Sequence, residues 1–222
     1  MDTRERLLKA AGIVFAEKGF FAAKTAEICR LAGANIAAVN YHFRSKERLY
    51  AEAWRHAFER SIEANPPDGG VSADAPPEER LRGHIQANVN RIAAPDSIDF
   101  DISHKELANP TGLLAEVMKR SIDPLHRMFM DVVRELLNEE ASEMDVHFCA
   151  ISVHSQCLMP LVHERNRRRR TVDGHSLDSL VPEIDKAALV DHILRFSLAG
   201  IRGLHAPSTS SIADRTERKV QP

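Results

Sequence analysis

Residues 25–46 read Thr25-Ala26-Glu27-Ile28-Cys29-Arg30-Leu31-Ala32-Gly33-Ala34-Asn35-Ile36-Ala37-Ala38-Val39-Asn40-Tyr41-His42-Phe43-Arg44-Ser45-Lys46. The spacing predicts a short helix from Thr25 to Ala32 with Ile28 and Leu31 turned inward. Gly33 ends it, and Asn35 stands where an N-cap belongs, before a second short helix from Ile36 to Tyr41. Two short helices joined by Gly33-Ala34-Asn35 have helix–turn–helix spacing, in which the second helix can enter a major groove. That helix opens on the small residues Ala37 and Ala38. They let backbone approach base edges and offer methyls to thymine. Asn40 can bond a base edge or a phosphate, and Tyr41 and His42 are placed for phosphates. Lys46 starts the next helix, where its ammonium and the N-terminal N–H groups form a phosphate anchor; the Thr25 hydroxyl can serve likewise. Val39 and Phe43 are read as core. A helical protein-interaction module without DNA binding carries the same turn, so this reading of the residues leaves both open.

Working outward, the chain reads as helices throughout. Upstream, Leu7, Leu8, Ala11, Val14 and Phe15 form one apolar stripe on a helix from Thr3 to Lys18, capped by Asp2 and stopped by Gly19. Downstream, Ser45 caps a long helix to about Glu63. Residues 65–77 are rich in proline, glycine and small polar residues and form a loop. Helices follow over Glu78–Ala93, Ser103–Ala108 and Gly112–Ser121. Asp123-Pro124 reads as an N-cap and first-turn proline starting another helix through Leu136. Two long helices close the pattern, Glu143–Arg165 and Ile184–Leu204, with Pro160 expected to kink or shorten the first. The tail from Pro207 is polar and expected to be disordered. The sequence shows no internal repeat and no alternating strand pattern. The expected fold is all-α, with a helix–turn–helix domain over residues 1–46, a larger helical domain over 47–206 and a tail over 207–222.

Composition adds bounds. The chain has 222 residues and a formal net charge of −2, so whole-chain charge gives no sign of a nucleic-acid binder. Up to Glu63 the net charge is +3 and beyond it −5, a mildly basic head on an acidic body. Three cysteines, Cys29, Cys149 and Cys157, do not make a disulfide framework, which points to a reducing compartment. No apolar run is long enough to span a bilayer, and the N-terminus lacks the apolar core of a signal peptide. The expected location is the cytoplasm, without membrane association.

The first 50 or so residues resemble the DNA-binding domain of the Tet repressor family of bacterial transcription regulators. The resemblance rests on Phe15-Ala16-Glu17-Lys18-Gly19-Phe20, Thr25-Ala26-Glu27-Ile28, Ala32-Gly33, Asn40-Tyr41-His42-Phe43 and Ser45-Lys46-Glu47. It implies operator contacts by Thr25, Asn35, Ile36, Ala37, Ala38, Asn40, Tyr41, His42 and Lys46. Ala26 lies near where some relatives carry a base-reading arginine, which shifts readout toward the helix from Ile36. Ile36 is apolar where family members are often polar, which suggests apolar contact with thymine methyls. Further on, His104 to Thr111 and Pro124-Leu125-His126 look similar to the CecR-type subgroup.

The resemblance implies a repressor that binds a palindromic operator as a homodimer and is released by a small-molecule effector, with no cofactor and no enzymatic role. The family's dimer bundle would use Ile151, His154, Leu158 and Leu161 on one long helix, and Ala187, Val190, Leu194, Leu198 and Ile201 on the next. Candidate pocket residues by resemblance are Trp54, Phe58, Phe100, His104, Met118, His126, Phe129 and Met130. His154 and Cys157 stand three apart on one helical face, which raises a metal-responsive regulator as an alternative. No CxxC or HExxH accompanies them, so core or interface histidines are the preferred reading and no metal is assigned. The run Arg165 to Arg170 reads as a solvated helix end. GxSxG, GxxxxGK[ST] and GxGxxG do not occur, so hydrolase, P-loop and dinucleotide readings lack support.

Overall fold

Local caps set the starts of four helices. Asp2 accepts the Glu5 N–H, Asn35 the Ala38 N–H, Ser45 the Arg48 N–H, and Asp185 the N–H groups of Ala187 and Ala188. A computed structural model of the protein describes residues 2–137, 141–169 and 183–204, with the backbone alone described for 166–169. The described residues form an all-α fold: α1 (Thr3–Ala22), α2 (Thr25–Ala32), α3 (Ile36–Phe43), α4 (Lys46–Ala64), α5 (Pro77–Ala93), α6 (Ile98–Ala108), α7 (Ala115–Leu136), α8 (Glu143–Arg169) and α9 (Lys186–Gly203). The expected tail over 207–222 lies outside the described residues.

α1 breaks where Gly19 predicted a stop. Gly19 takes φ 73°, a left-handed backbone that glycine adopts without a Cβ penalty, and one more turn runs on to Ala22. Leu7, Leu8, Ala11, Val14 and Phe15 are all buried, as the stripe required. In α2 the inward face differs from the expectation. Ile28, Cys29 and Ala32 are buried, whereas Leu31 is 48% exposed. Ile28 to Ala32 is a four-residue step that already fills the inner face, so Leu31 falls on the flank.

Two further expectations are corrected. The segment around Asp123-Pro124 does not start a new helix; α7 runs through Pro124 without a break. Pro124 removes one N–H and leaves the Arg120 carbonyl without its helical partner, but both residues are exposed, so water can serve that carbonyl. α8 passes Pro160 and continues to Arg169, so of the two outcomes expected there, a kink or an early end, the early end does not occur.

The apolar core forms two clusters. One joins α1, α2 and α3 to Leu49, Tyr50, Ala53, Trp54 and Phe58 of α4, and takes in Ile102 of α6 and Leu114. The other joins α5, α7, α8 and α9. Packing thus runs across the expected division at residues 46 and 47, because α4 completes the head core. α6 packs on α1 and α4; a Cβ built on Gly12 of α1 would lie 3.1 Å from Ile98, so glycine there permits the close approach. Burying a side chain the size of Leu or Phe contributes about 1.5–3 kcal/mol, so Ile102 alone is a substantial tie between α6 and the head.

Arg165 is not the solvated residue its basic run suggested. It pairs with Asp101 at 2.9 Å, donates to the Ile92 and Ala94 carbonyls at 2.9 Å each, and lies 5.2 Å over the Phe100 ring. It fastens α8 to the junction of α5 and α6. Arg165→Ala is expected to lower unfolding free energy by about 2 kcal/mol, since hydrogen bonds to charged groups are worth about 1.5–3 kcal/mol. Urea titration at neutral pH checks this.

Candidate functional site

The helix–turn–helix presents one exposed helix face. Gly33 has φ 59° and its N–H reaches the Arg30 and Cys29 carbonyls, which closes α2 and turns the chain. In α3, Val39 and Phe43 are buried and anchor the helix to the head. Ile36, at 53% exposure, and Tyr41, at 84%, face outward with Ala37 and Asn40. Ala38 and His42 are half-buried on the flank, and Thr25 is half-buried at the start of α2. The Asn35 side-chain oxygen is spent on the cap at 2.9 Å, so its amide N–H group is the part left for a ligand. The Lys46 ammonium sits 4.5 Å over the Phe20 ring at the first residue of α4, a cation–π contact that holds it by that helix N-terminus. Arg44 has φ 67° and is exposed at the end of α3, and Arg48 is exposed two residues past Lys46. The sequence reading missed both arginines. Arg44 at the C-cap of α3 and Arg48 in the first turn of α4 were the available signal.

The body holds a cavity of about 450 Å³ bounded by residues of α4, α5, α6, α7 and α8. Of the pocket candidates, Trp54, Phe58, Phe100, His104, Met118, His126 and Phe129 line it. Met130 does not; it packs against the second core cluster, one residue round the helix from Phe129. The structure adds His84, Asn88, Arg91, Ser97, Asp99 and Ser103. The His84 and Phe129 rings stack at 3.8 Å, and Trp54 stacks on Phe58 at 5.0 Å. Asn88 lies 2.9 Å from the His84 Nε2.

Charge inside the cavity is paired. Arg91 and Asp99 approach to 3.5 Å, and the Arg91 guanidinium lies 5.2 Å over Phe58. Burial pushes the Asp99 carboxyl above its usual range against the pull of Arg91, and burial lowers the Arg91 guanidinium against the pull of Asp99. Burial drives His84 down to about 3, with the His154 charge adding to it. His154, also on the wall, is lowered by burial and then by Arg91 and His126. Cys157 is fully buried behind it, and burial pushes its thiol up to about 12. No group of three or more metal-ligating side chains is gathered among the described residues.

Cavity and head share structure. On α6, Asp99, Phe100, Ser103 and His104 face the cavity, while Ile102 packs into the head core. Trp54 of α4 donates its indole N–H to Ser103 at 2.8 Å, and Ser103 donates to the Asp99 carbonyl at 2.7 Å. One turn up α4, the buried Tyr50 donates to Glu106 at 3.1 Å and packs edge-on against Phe15. Glu106 also accepts from the backbone N–H groups of Thr111 and Gly112. The Glu106 charge and burial together raise the Tyr50 phenol far above its usual value.

The model of the C-terminal domain of the HTH-type transcriptional dual regulator CecR matches residues 77–201, and that of the bacterial regulatory proteins of the tetR family matches residues 7–53. The chain belongs to the TetR family. It is a TetR-family transcriptional regulator with a CecR-type C-terminal domain. The HTH-type transcriptional repressor NicS of Pseudomonas putida is 35% identical over 81 residues, 36% of this chain and 37% of NicS, so the match spans little more than a third of that relative. A TetR-like regulator from Rhodococcus sp. RHA1 shares the fold with a TM-score of 0.66 at 18% identity, over 90% of this chain and 96% of that one. The fatty acid degradation regulator FadR from Bacillus halodurans does so with a TM-score of 0.68 at 15% identity, over 91% and 97%. No described helix of this regulator is long and apolar enough to cross a membrane.

The expected dimer stripes divide between the core and the surface. Leu161, Val190 and Ile201 are buried in the regulator's own core, which removes them from any intermolecular face. Ile151, His154 and Leu158 line the cavity, Leu194 and Leu198 pack on the core from its edge, and Ala187 is exposed at the start of α9. Ile151, at 46% exposure, shares the exposed side of α8 with Met144, Phe148 and Met159, and Phe196 is exposed on α9 at 62%.

Proposed function

We propose that this regulator is a repressor that binds a palindromic operator as a homodimer and releases it when a small molecule fills the cavity. The observation that carries the reading is that α4 and α6 each serve both ends. α4 begins at Lys46 beside the groove-facing helix and carries Trp54 and Phe58 on the cavity wall. α6 carries cavity residues and a head-core residue at once. A ligand that displaces Ser103 or Trp54 therefore acts on the helix that bears the head. It shifts the equilibrium only by its difference in affinity between the two arrangements.

In the head, α3 reads bases through Ile36, Ala37 and Asn40, with Ala38 against the groove wall. Thr25, Asn35, Tyr41, His42 and Lys46 hold phosphates, joined by Arg44 and Arg48. A two-fold pair reads two half-sites, hence the palindrome. The dimer face is the exposed side of α8 and α9 around Met144, Phe148, Met159 and Phe196. The small exposed residues Ala199, Gly200 and Gly203 extend it and let helices approach closely. The head reaches through α4 to about residue 53, and the remainder forms the effector and dimerisation body. A reducing cytoplasm suits a chain with three buried free cysteines.

Genomic footprinting with the purified protein yields the bound sequence, and anisotropy on that duplex yields its affinity. A specific site should bind more tightly than random duplex by about 4–10 kcal/mol. A single unsymmetrical half-site, or a solution mass of lone chains on DNA, overturns the reading. Lys46→Ala is expected to weaken operator and random duplex alike and to lower the salt slope of log K by about 1, because it removes a phosphate contact and no base contact.

A further inference from the structure

Three aromatic pairs face the cavity from three directions. Trp54 and Phe58 come from α4 at 5.0 Å and 19°, Phe100 and His104 from α6 at 6.1 Å and 10°, and His84 and Phe129 from α5 and α7 at 3.8 Å and 6°. Such near-parallel pairs offer flat faces, and flat rings gain from stacking beyond the area they bury. A flexible chain gains burial alone. At the end where α5 meets α6, the permanent charges among the described lining residues are one guanidinium and one carboxylate, Arg91 and Asp99, already paired at 3.5 Å. An organic acid entering there meets no unpaired cation, and it must break the pair or stay uncompensated; either course is costly in a desolvated site. The same end holds two buried oxygens without hydrogen-bond partners, Asp99 Oδ1 and Ser97 Oγ. A ligand N–H arriving beside them, with a small rotation of either side chain, satisfies a buried acceptor that now has none.

We propose that the cavity takes an uncharged, planar aromatic or heteroaromatic molecule bearing an N–H donor, in preference to any carboxylic acid. The inference rests on the effector reading above and names the ligand's chemistry. His84 agrees with it, because burial holds its ring below its ordinary value and so keeps one cationic partner for an acid off the wall.

The test uses full-length wild-type protein and three probes: 2-naphthamide, 2-naphthoate and decanoate. The first two differ in charge and hardly in shape. Calorimetry gives affinity, and nitrogen–proton correlation spectra give place, since the sequence has one tryptophan, Trp54, whose indole N–H faces the cavity and bonds to Ser103. The naphthamide is expected to bind at least tenfold more tightly than either acid and to move the indole resonance. Equal or tighter binding of naphthoate or decanoate overturns the inference, as does failure of all three to bind, or binding that leaves the indole unmoved. Asp99→Asn leaves Arg91 without its counter-ion and weakens the acceptor offered to the naphthamide, so the ratio of naphthamide to naphthoate affinity should fall at least tenfold; an unchanged ratio in a folded variant also overturns the inference. If that variant does not fold, the wild-type comparison still decides. Operator release is measured separately: release by naphthoate with tighter naphthoate binding would overturn the ligand class and leave the effector cavity standing, whereas naphthamide binding without release would do the reverse.

Discussion

Ala37→Glu is expected to abolish operator binding, with a loss of at least a thousandfold, while the fold stays intact. The two halves of that statement have separate causes. Ala37 is exposed on α3, so glutamate there displaces no core side chain. It also lies in the first turn of that helix, one residue past Ile36, where a carboxylate meets the positive end of the helix dipole and costs the helix nothing. Stability should be unchanged or slightly raised. Binding is another matter. In the groove the same carboxylate faces phosphates of both strands and base-edge acceptors, and its desolvation finds no donor to offset it. A small methyl that permits close approach becomes a charged obstacle at the closest point. Anisotropy with operator and random duplex, beside circular dichroism and a urea midpoint, separates the two halves. Normal operator affinity in a folded Ala37→Glu protein would falsify the groove assignment and with it the division of labour between Ala37, Asn40 and Tyr41.

How much of this could be read from the chain depends on range. Caps are local: Asp2, Asn35 and Ser45 need only the next three residues, and each is found capping as expected. The exposed side of α3 is legible for the same reason, since Val39 and Phe43 at a four-residue step fix the buried side and so the exposed one. Pro124 was misjudged because the local rule for proline is a rule about an N–H; whether the freed carbonyl is solvated depends on which side of α7 faces water. α8 shows the harder limit. Its apolar residues lie on two faces, Val146, Val153, Cys157 and Leu161 inside and Met144, Phe148 and Met159 outside, and periodicity cannot rank one above the other. The cavity candidates came through resemblance, and the aromatic ones reached the wall because α4, α6 and α7 converge there. Arg91, Asp99 and His84 were invisible beforehand. A titratable side chain becomes noteworthy only when folding brings a distant partner or takes away water.

His84 makes that last point measurable. Its folded value lies near 3, while an unfolded chain has histidine near 6.5. The folded value is depressed, so between these limits the unfolded state binds the proton and the native state does not. Stability therefore rises with pH across this window and is lost as pH falls from about 6.5 toward 3. From pH 7.5 to 4.5 this single group is expected to remove about 3 kcal/mol. Carboxylates change over the same range, so the wild-type curve alone does not isolate the histidine. His84→Phe does: a phenyl ring keeps a stack on Phe129, Asn88 keeps its bond to the residue 84 carbonyl, and the titrating nitrogen is gone. Urea denaturation of both proteins at pH 7.5 and 4.5 should show the variant losing less by about 3 kcal/mol, whatever its stability at neutral pH. Equal losses would mean that His84 meets water in the native state, through an opening of the wall it forms with Phe129 and Pro67, and the cavity would then be wetter than its lining residues describe.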